Sequence, residues 1–152
     1  MRTIATLVLA LVAGTTLGVD YAQHRAGIPA ATAASGAPAE TPAGQQFKLA
    51  LVLTQTDPET VFNAFRVAQY ALEQGDEVRV FLLGQGVELE RIKDPKYDVQ
   101  EKARAFQAAG GRILACGTCL QMHDSAGSEL CPVSTMSDLY GLIRNSDRVL
   151  TF

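Results

Sequence analysis

Tryptophan is absent from this sequence, histidine occurs only twice, and lysine and arginine do not form a cluster anywhere. The two histidines are His24 and His123, so catalysis based on imidazole has few candidates. The formal net charge is −3, and a surface that binds nucleic acid needs a basic patch to hold the phosphates. We therefore expect no nucleic-acid partner.

Cysteine is also scarce, with three residues at Cys116, Cys119 and Cys131. This number is odd and too small for a fold held together by disulfides, so it indicates a reactive or ligating role. Apolar residues make up 47% of the 152 residues and charged residues 19%, which is typical of a globular protein. The chain is long enough for one domain with a hydrophobic core.

The N-terminal segment has the pattern of an export signal. Arg2 is followed by an apolar run over residues 4–13, and the apolar character continues to Val19. As a helix, residues 4–19 would rise about 24 Å, which is short of a ~30 Å hydrocarbon core. We expect residues 1–22 to be a signal peptide or an uncleaved membrane anchor. The protein would then be periplasmic, or tethered to the membrane by this segment alone and facing the periplasm.

The next segment, residues 23–46, is rich in alanine, glycine, proline, serine and threonine. It has too few bulky apolar side chains to form a core, so we expect a flexible linker. The folded domain should then occupy residues 47–152.

Strand and helix patterns alternate along residues 47–152. Apolar runs predict strands over residues 47–54, 77–83, 112–116 and 147–152. Capping residues and helical spacing predict helices that begin after Asp57, after Asp98 and after Ser134 or Ser137, with a short helix over residues 87–91. This order predicts an α/β domain with a mainly parallel sheet of four to five strands.

The functional crevice of such a sheet lies outside the carboxyl ends of the strands. Residues 54–57, 84–86 and 116–119 follow three predicted strands, so they should converge there, with Gln55 and Gln85 as accessory candidates. The Gly-Gln-Gly turn is not a dinucleotide fingerprint, because Leu89 stands where the third glycine is needed. Haem attachment would need histidine where Leu120 stands. No cofactor is expected.

Cys116 and Cys119 form a CxxC pair at the end of a predicted strand. The thiolate is the nucleophilic form of cysteine, and N–H groups at the start of a following helix would stabilise it. His123 is a candidate proton carrier, and a solvent-facing helix position is its alternative. For Cys116, the alternative is a small buried core residue.

Three chemistries fit this constellation. The pair could carry sulfane sulfur as a persulfide, or it could exchange between dithiol and disulfide. Cys116, Cys119, His123 and Cys131 would also form a tetrahedral zinc set, but one CxxC pair is only half of a structural zinc signature. We therefore expect no metal.

Several segments of residues 47–152 resemble the DsrE/DsrF-like family, which includes the sulfur-relay subunits of the Tus type. They are the first strand with Thr54-Gln55 at its end, residues 115–120, Glu129-Leu130, residues 133–139 and residues 147–152. The resemblance implies a flavodoxin-like three-layer fold that assembles into homo-oligomers, either trimers or hexamers. It also implies that Cys116 carries persulfide and that Cys119 marks a CxxC-containing branch. The resemblance assigns no role to the loop of Cys131, which we keep as a possible accessory residue.

The leading hypothesis is a sulfur-handling protein, either a sulfurtransferase or a carrier, with the persulfide on Cys116 and with Cys119 as the resolving or second thiol. Its partner would be a sulfur donor or acceptor protein, or a small sulfur compound. One alternative is a non-catalytic oligomeric module that binds a small ligand or partner at the strand-end crevice. Another is a thiol–disulfide oxidoreductase that uses Cys116 and Cys119. An oxidising compartment would favour a disulfide of Cys116 with Cys119 or Cys131.

Overall fold

The computed structural model describes residues 46–152. The expected signal or anchor segment, residues 1–22, lies outside the described residues, as does the expected linker up to residue 45. Within residues 46–152, no helix combines the length and the apolar character needed to cross a membrane.

Five strands and four α-helices, with one 3₁₀ helix, alternate along the described chain. In order, they are β1 (Lys48–Leu53), α1 (Pro58–Glu73), β2 (Glu77–Leu82), the 3₁₀ helix (Gly84–Arg91), α2 (Val99–Ala108), β3 (Arg112–Cys116), α3 (Gly117–Met122), β4 (Val133–Ser134), α4 (Met136–Arg144) and β5 (Arg148–Thr151).

The strands form one sheet in the order β4-β3-β2-β1-β5, and every neighbouring pair is parallel. This confirms the α/β class and the expected parallel sheet. The carboxyl ends of β1, β2 and β3 therefore lie at one edge, which we call the carboxyl edge. The crossovers run in one direction from β1 to β4, and β5 then joins the free side of β1.

Most of the hydrophobic core comes from β1, β2, β3, α1 and α2. Asp57 caps α1 by accepting the N–H of Thr60, and Pro58 occupies the first turn. The ring of Phe65 on α1 packs edge-to-face on Phe106 of α2, with ring centroids 5.8 Å apart. The largest fully buried side chains are those of Phe65, Phe81, Phe106, Leu51, Leu53, Leu82, Leu89, Ile113, Leu120, Val61, Val80 and Val99.

The predicted cap of the last helix was wrong. Thr135 caps α4, because its hydroxyl accepts the N–H of Asp138 and the Asp138 carboxylate accepts the N–H of Thr135. Ser134 is instead the last residue of β4, where it is buried, and Ser137 lies inside the helix. The sequence has three hydroxyl residues close together, and any of them could cap the helix. Thr135 is the cap because the preceding strand, which was not predicted, ends at Ser134.

Candidate functional site

Cys116 is the last residue of β3, and its position follows from the apolar pattern of that strand. Ile113 and Ala115 are buried, and Cys116 is only 3% exposed. The strand pairs with β2 on one side and with β4 on the other, where Cys116 lies opposite Ser134. The strand that carries the Cys116 sulfur is therefore paired with another strand on each of its two edges.

The backbone turns directly from Cys116 into α3, so that this cysteine is the N-cap residue. Its φ and ψ angles are −59° and 113°, and its Sγ accepts the N–H of Cys119 at 3.4 Å. An N-cap side chain normally satisfies the third helical residue in this way, with oxygen in place of sulfur. Because that residue is itself a cysteine, the cap brings the two sulfurs of the CxxC pair together.

Cys119 is half-buried, and its Sγ accepts the N–H of Gly84 at 3.3 Å. Burial is the main cause that raises the pKa of the Cys119 thiol, and its side-chain hydrogen bond with Cys116 raises it further. The proton thus stays on Cys119 at neutral pH. The Cys116 Sγ accepts one backbone hydrogen bond, from the N–H of Cys119.

Two glycines shape the loop that delivers the Gly84 N–H. Gly84 has a positive φ of 56°, and a Cβ at Gly86 would lie 2.1 Å from the carbonyl oxygen of Leu53. Only glycine lets the backbone approach the end of β1 so closely. The loop was expected to be a simple turn before a helix over residues 87–91, but the 3₁₀ helix already begins at Gly84.

Of the three segments predicted to converge, the loop that follows β2 contacts both of the others. It lies against the end of β1 and against the cysteine pair. Gly84 contacts Cys119, and Gly86 lies against the end of β1. Gln55 is half-buried and Gln85 is exposed. Among the described residues, neither glutamine side chain forms a hydrogen bond with residues 116–119, so their accessory roles remain predictions.

His123 lies at the end of α3 and contacts the 3₁₀ helix. Its Nδ1 is 3.5 Å from the Oε2 of Glu88, and its side chain is 27% exposed. Glu88 also pairs with Arg91, whose hydrogen bond is the main cause that lowers the pKa of that carboxyl, and Arg91 donates to the carbonyl of Asp124. These contacts fasten the end of α3 to the 3₁₀ helix. Sequence reasoning missed Glu88, because no spacing rule links it to the cysteine loop.

Cys131 is buried just before β4, at 1% exposure. Its N–H donates to the hydroxyl of Ser128, which in turn donates to Glu90. Burial, followed by the nearby charge of Glu90, raises the pKa of the Cys131 thiol to about 12. This cysteine is therefore a neutral packing residue at physiological pH.

The metal alternative gains no support from the arrangement of side chains. Within residues 46–152, no three histidine, cysteine, aspartate or glutamate side chains are grouped so that they could hold a metal ion. The four candidates Cys116, Cys119, His123 and Cys131 fall within that range. None of the three cysteines is joined in a disulfide in the structure.

The fold and the site together define a class of protein. Its members are α/β domains with a parallel five-stranded sheet and a thiol pair at the end of the third strand. The chain belongs to the DsrE/DsrF-like family, whose model matches residues 48–152. The resemblance seen in the sequence is thereby confirmed. Membership in this family suggests a role related to sulfur relay.

Two relatives match this chain at 28% identity. Uncharacterized protein MJ0989 of Methanocaldococcus jannaschii is 28% identical over 113 residues, which cover 69% of this chain and 99% of that protein. Uncharacterized protein MK0008 of Methanopyrus kandleri is 28% identical over 100 residues, covering 62% of this chain and 83% of that protein.

A solved structure supports the fold independently. The conserved protein of unknown function BT1422 from Bacteroides thetaiotaomicron superposes with a TM-score of 0.56 at 23% identity. The match covers 69% of this chain and 95% of that one. At this level of identity the likeness shows the fold alone.

Proposed function

We propose that this domain accepts sulfane sulfur as a persulfide on Cys116 and passes it to an acceptor. The observation that carries the proposal is the capping geometry of Cys116, whose Sγ accepts the N–H of Cys119 at 3.4 Å. Membership in the DsrE/DsrF-like family supports the same chemistry. A cysteine at a strand end, held by a backbone donor, is the kind of site in which a thiolate is stabilised.

The loading step is a transfer of one sulfur atom between thiols. The Cys116 thiolate attacks the outer sulfur of a donor persulfide, the donor S–S bond breaks, and the donor leaves as a thiolate. The reverse reaction with a second thiol unloads the sulfur. No oxidant or reductant is needed, because the oxidation state of the transferred sulfur does not change.

Cys116 is favoured over the other two cysteines by their surroundings. The pKa of Cys119 and that of Cys131 are raised by burial, so both thiols keep their protons near neutral pH. Cys116 is itself nearly covered, but α3 has only six residues and Leu120 is its only buried one. Local opening of so short a helix requires little free energy and would admit a donor.

We expect Cys116→Ser to reduce sulfur loading at least about tenfold, because a serine hydroxyl cannot hold sulfane sulfur. The reduced full-length protein is incubated with inorganic polysulfide, desalted, and examined by intact and peptide mass spectrometry for a gain of about 32 Da, which marks one added sulfur. Cys131→Ala is the matched control and should load normally. An adduct that persists in Cys116→Ser would remove Cys116 from this role.

We also propose that residues 1–22 direct export and that the folded domain acts as a homo-oligomer with a sulfur donor or acceptor as its partner. The apolar run after Arg2 and the family assembly state support these two proposals. Recovery of the native protein from the cytosolic fraction alone would refute export. A monomeric mass by light scattering across micromolar concentrations would refute the oligomer.

A further inference from the structure

We propose that Cys119 converts the carrier into a sulfide-releasing dithiol: it attacks the persulfide on Cys116, forms a Cys116–Cys119 disulfide and expels the outer sulfur as hydrosulfide. This inference rests on the proposed loading of Cys116. It assigns a further activity, the reduction of sulfane sulfur, to the same pair.

The first argument is the position of the two sulfurs. Cys116 is the N-cap residue of α3 and Cys119 is the third helical residue, so the capping geometry turns the Cys116 side chain onto Cys119. The two thiols interact side chain to side chain. Cys119 therefore lies beside the Sγ of Cys116, which becomes the inner sulfur of the persulfide and is the atom that must be attacked to form the disulfide.

The second argument is the donor that holds Cys119 from the other side. The N–H of Gly84 lies 3.3 Å from the Cys119 Sγ, and it comes from the loop whose Gly86 lies against the end of β1. A simple one-cysteine carrier has no need of a fixed backbone donor on a neighbouring thiol. A thiol that must become an anion during a reaction does need one.

The step balances without any outside reagent. The Cys119 sulfur forms a bond to the Cys116 Sγ, and the bond from that Sγ to the outer sulfur breaks. The outer sulfur gains two electrons and leaves as hydrosulfide, and the two cysteines together lose two electrons as they become a disulfide. The proton of the Cys119 thiol accompanies the leaving sulfur.

The protonation of the Cys119 thiol suits this order of steps. Burial and the contact with Cys116 raise the pKa of Cys119, so its proton is still present when the persulfide has formed. Transfer of that proton to the outer sulfur creates the attacking thiolate and the leaving group together. The N–H of Gly84 stabilises the thiolate as it forms, because it already contacts this sulfur.

A second turnover requires the disulfide to be reduced again. The chemistry calls for a dithiol reductant, a protein or small molecule that supplies two electrons and two protons by thiol exchange. Without it, each domain releases its sulfide once. This one-turnover limit gives the proposal a stoichiometry that can be measured.

The experiment compares the wild type with Cys119→Ser and Cys119→Ala, each as the full chain, fully reduced and then freed of reductant. Each protein is loaded briefly with inorganic polysulfide, desalted at low temperature to remove the donor, and warmed. Hydrosulfide is trapped with a bimane reagent, and the protein mass is followed in parallel. Cys131→Ala, which keeps both thiols of the pair, is the control.

We expect the wild type and the control to release about one hydrosulfide per loaded chain and to end about 2 Da lighter than the dithiol form. The two Cys119 variants should keep their adduct of about 32 Da and release at least about tenfold less hydrosulfide. A wild-type persulfide as stable as that of the variants would overturn this inference and leave loading intact. Sulfur found on Cys119 would also overturn it. If no protein loads at all, the proposed function fails first.

Discussion

Gly86→Ala is expected to destabilise the domain by about 3 kcal/mol, because the new Cβ would be forced into backbone rather than into a yielding side chain. The position it would occupy is 2.1 Å from the Leu53 carbonyl oxygen and 2.8 Å from the carbonyl carbon. Relief requires the 3₁₀ helix to move away from the end of β1. The same movement would withdraw the N–H of Gly84 from Cys119.

Urea denaturation measures this effect, and Gly141→Ala is its matched control. Gly141 lies inside α4 with open space around the position of a Cβ, so alanine there should stabilise the helix by roughly 0.5–1 kcal/mol. The midpoint should fall for Gly86→Ala and rise for Gly141→Ala, with the slope unchanged in both. Equal midpoints for Gly86→Ala and the wild type would show that the loop is free to retreat.

Cys131 is expected to react with iodoacetamide about 1000-fold more slowly in the folded protein than in the unfolded chain near pH 8. The reason is that its pKa is raised from 9.0 to about 12, which leaves very little thiolate in the folded state. Burial at 1% exposure adds a steric barrier. Timed labelling with peptide mass spectrometry gives the rate at this residue separately from Cys116 and Cys119. Comparable rates before and after denaturation would contradict the burial of this thiol.

The same shift has a definite sign in the pH dependence of stability. Below about pH 9 both states keep the Cys131 proton, so this group has no effect on the free energy of unfolding. Between about 9 and 12 the unfolded chain loses the proton while the folded chain retains it, so the free energy of unfolding falls as the pH rises. The difference between the wild type and Cys131→Ala isolates this contribution from the titration of lysines and tyrosines.

The longer elements of the fold could be predicted because their patterns are long enough to repeat. β1 is a nearly continuous apolar run, β2 ends in the apolar residues 80–82, and α1 carries a cap, a first-turn proline and a regular buried face. β4 could not be found in this way, since its two residues, Val133 and Ser134, are too few to show any period. Its existence depends on pairing with the end of β3, and the error in the cap of α4 followed from missing it.

The site likewise has local features, which the sequence predicts, and non-local contacts, which it does not. The CxxC pair and its place at a strand end are local features, and the rule for parallel sheets predicted that the loop after β2 would lie beside it. The N–H of Gly84 comes from 35 residues earlier in the chain than Cys119. Because a backbone N–H is not specific to any residue type, the sequence gives no sign of this contact. The contact of His123 with Glu88 is equally non-local. Neither contact could be read from residue type or spacing.

The direction of β1 determines where the domain could be attached to a support without obstructing its thiols. Gln46 and Lys48 lie at the edge of the sheet where the parallel strands begin, whereas Cys116 lies at the carboxyl edge. A six-residue strand separates these edges by about 20 Å. A domain coupled to a solid support through Gln46 would therefore keep its cysteine edge turned outward, so that donors and reductants can be exchanged by simple washing.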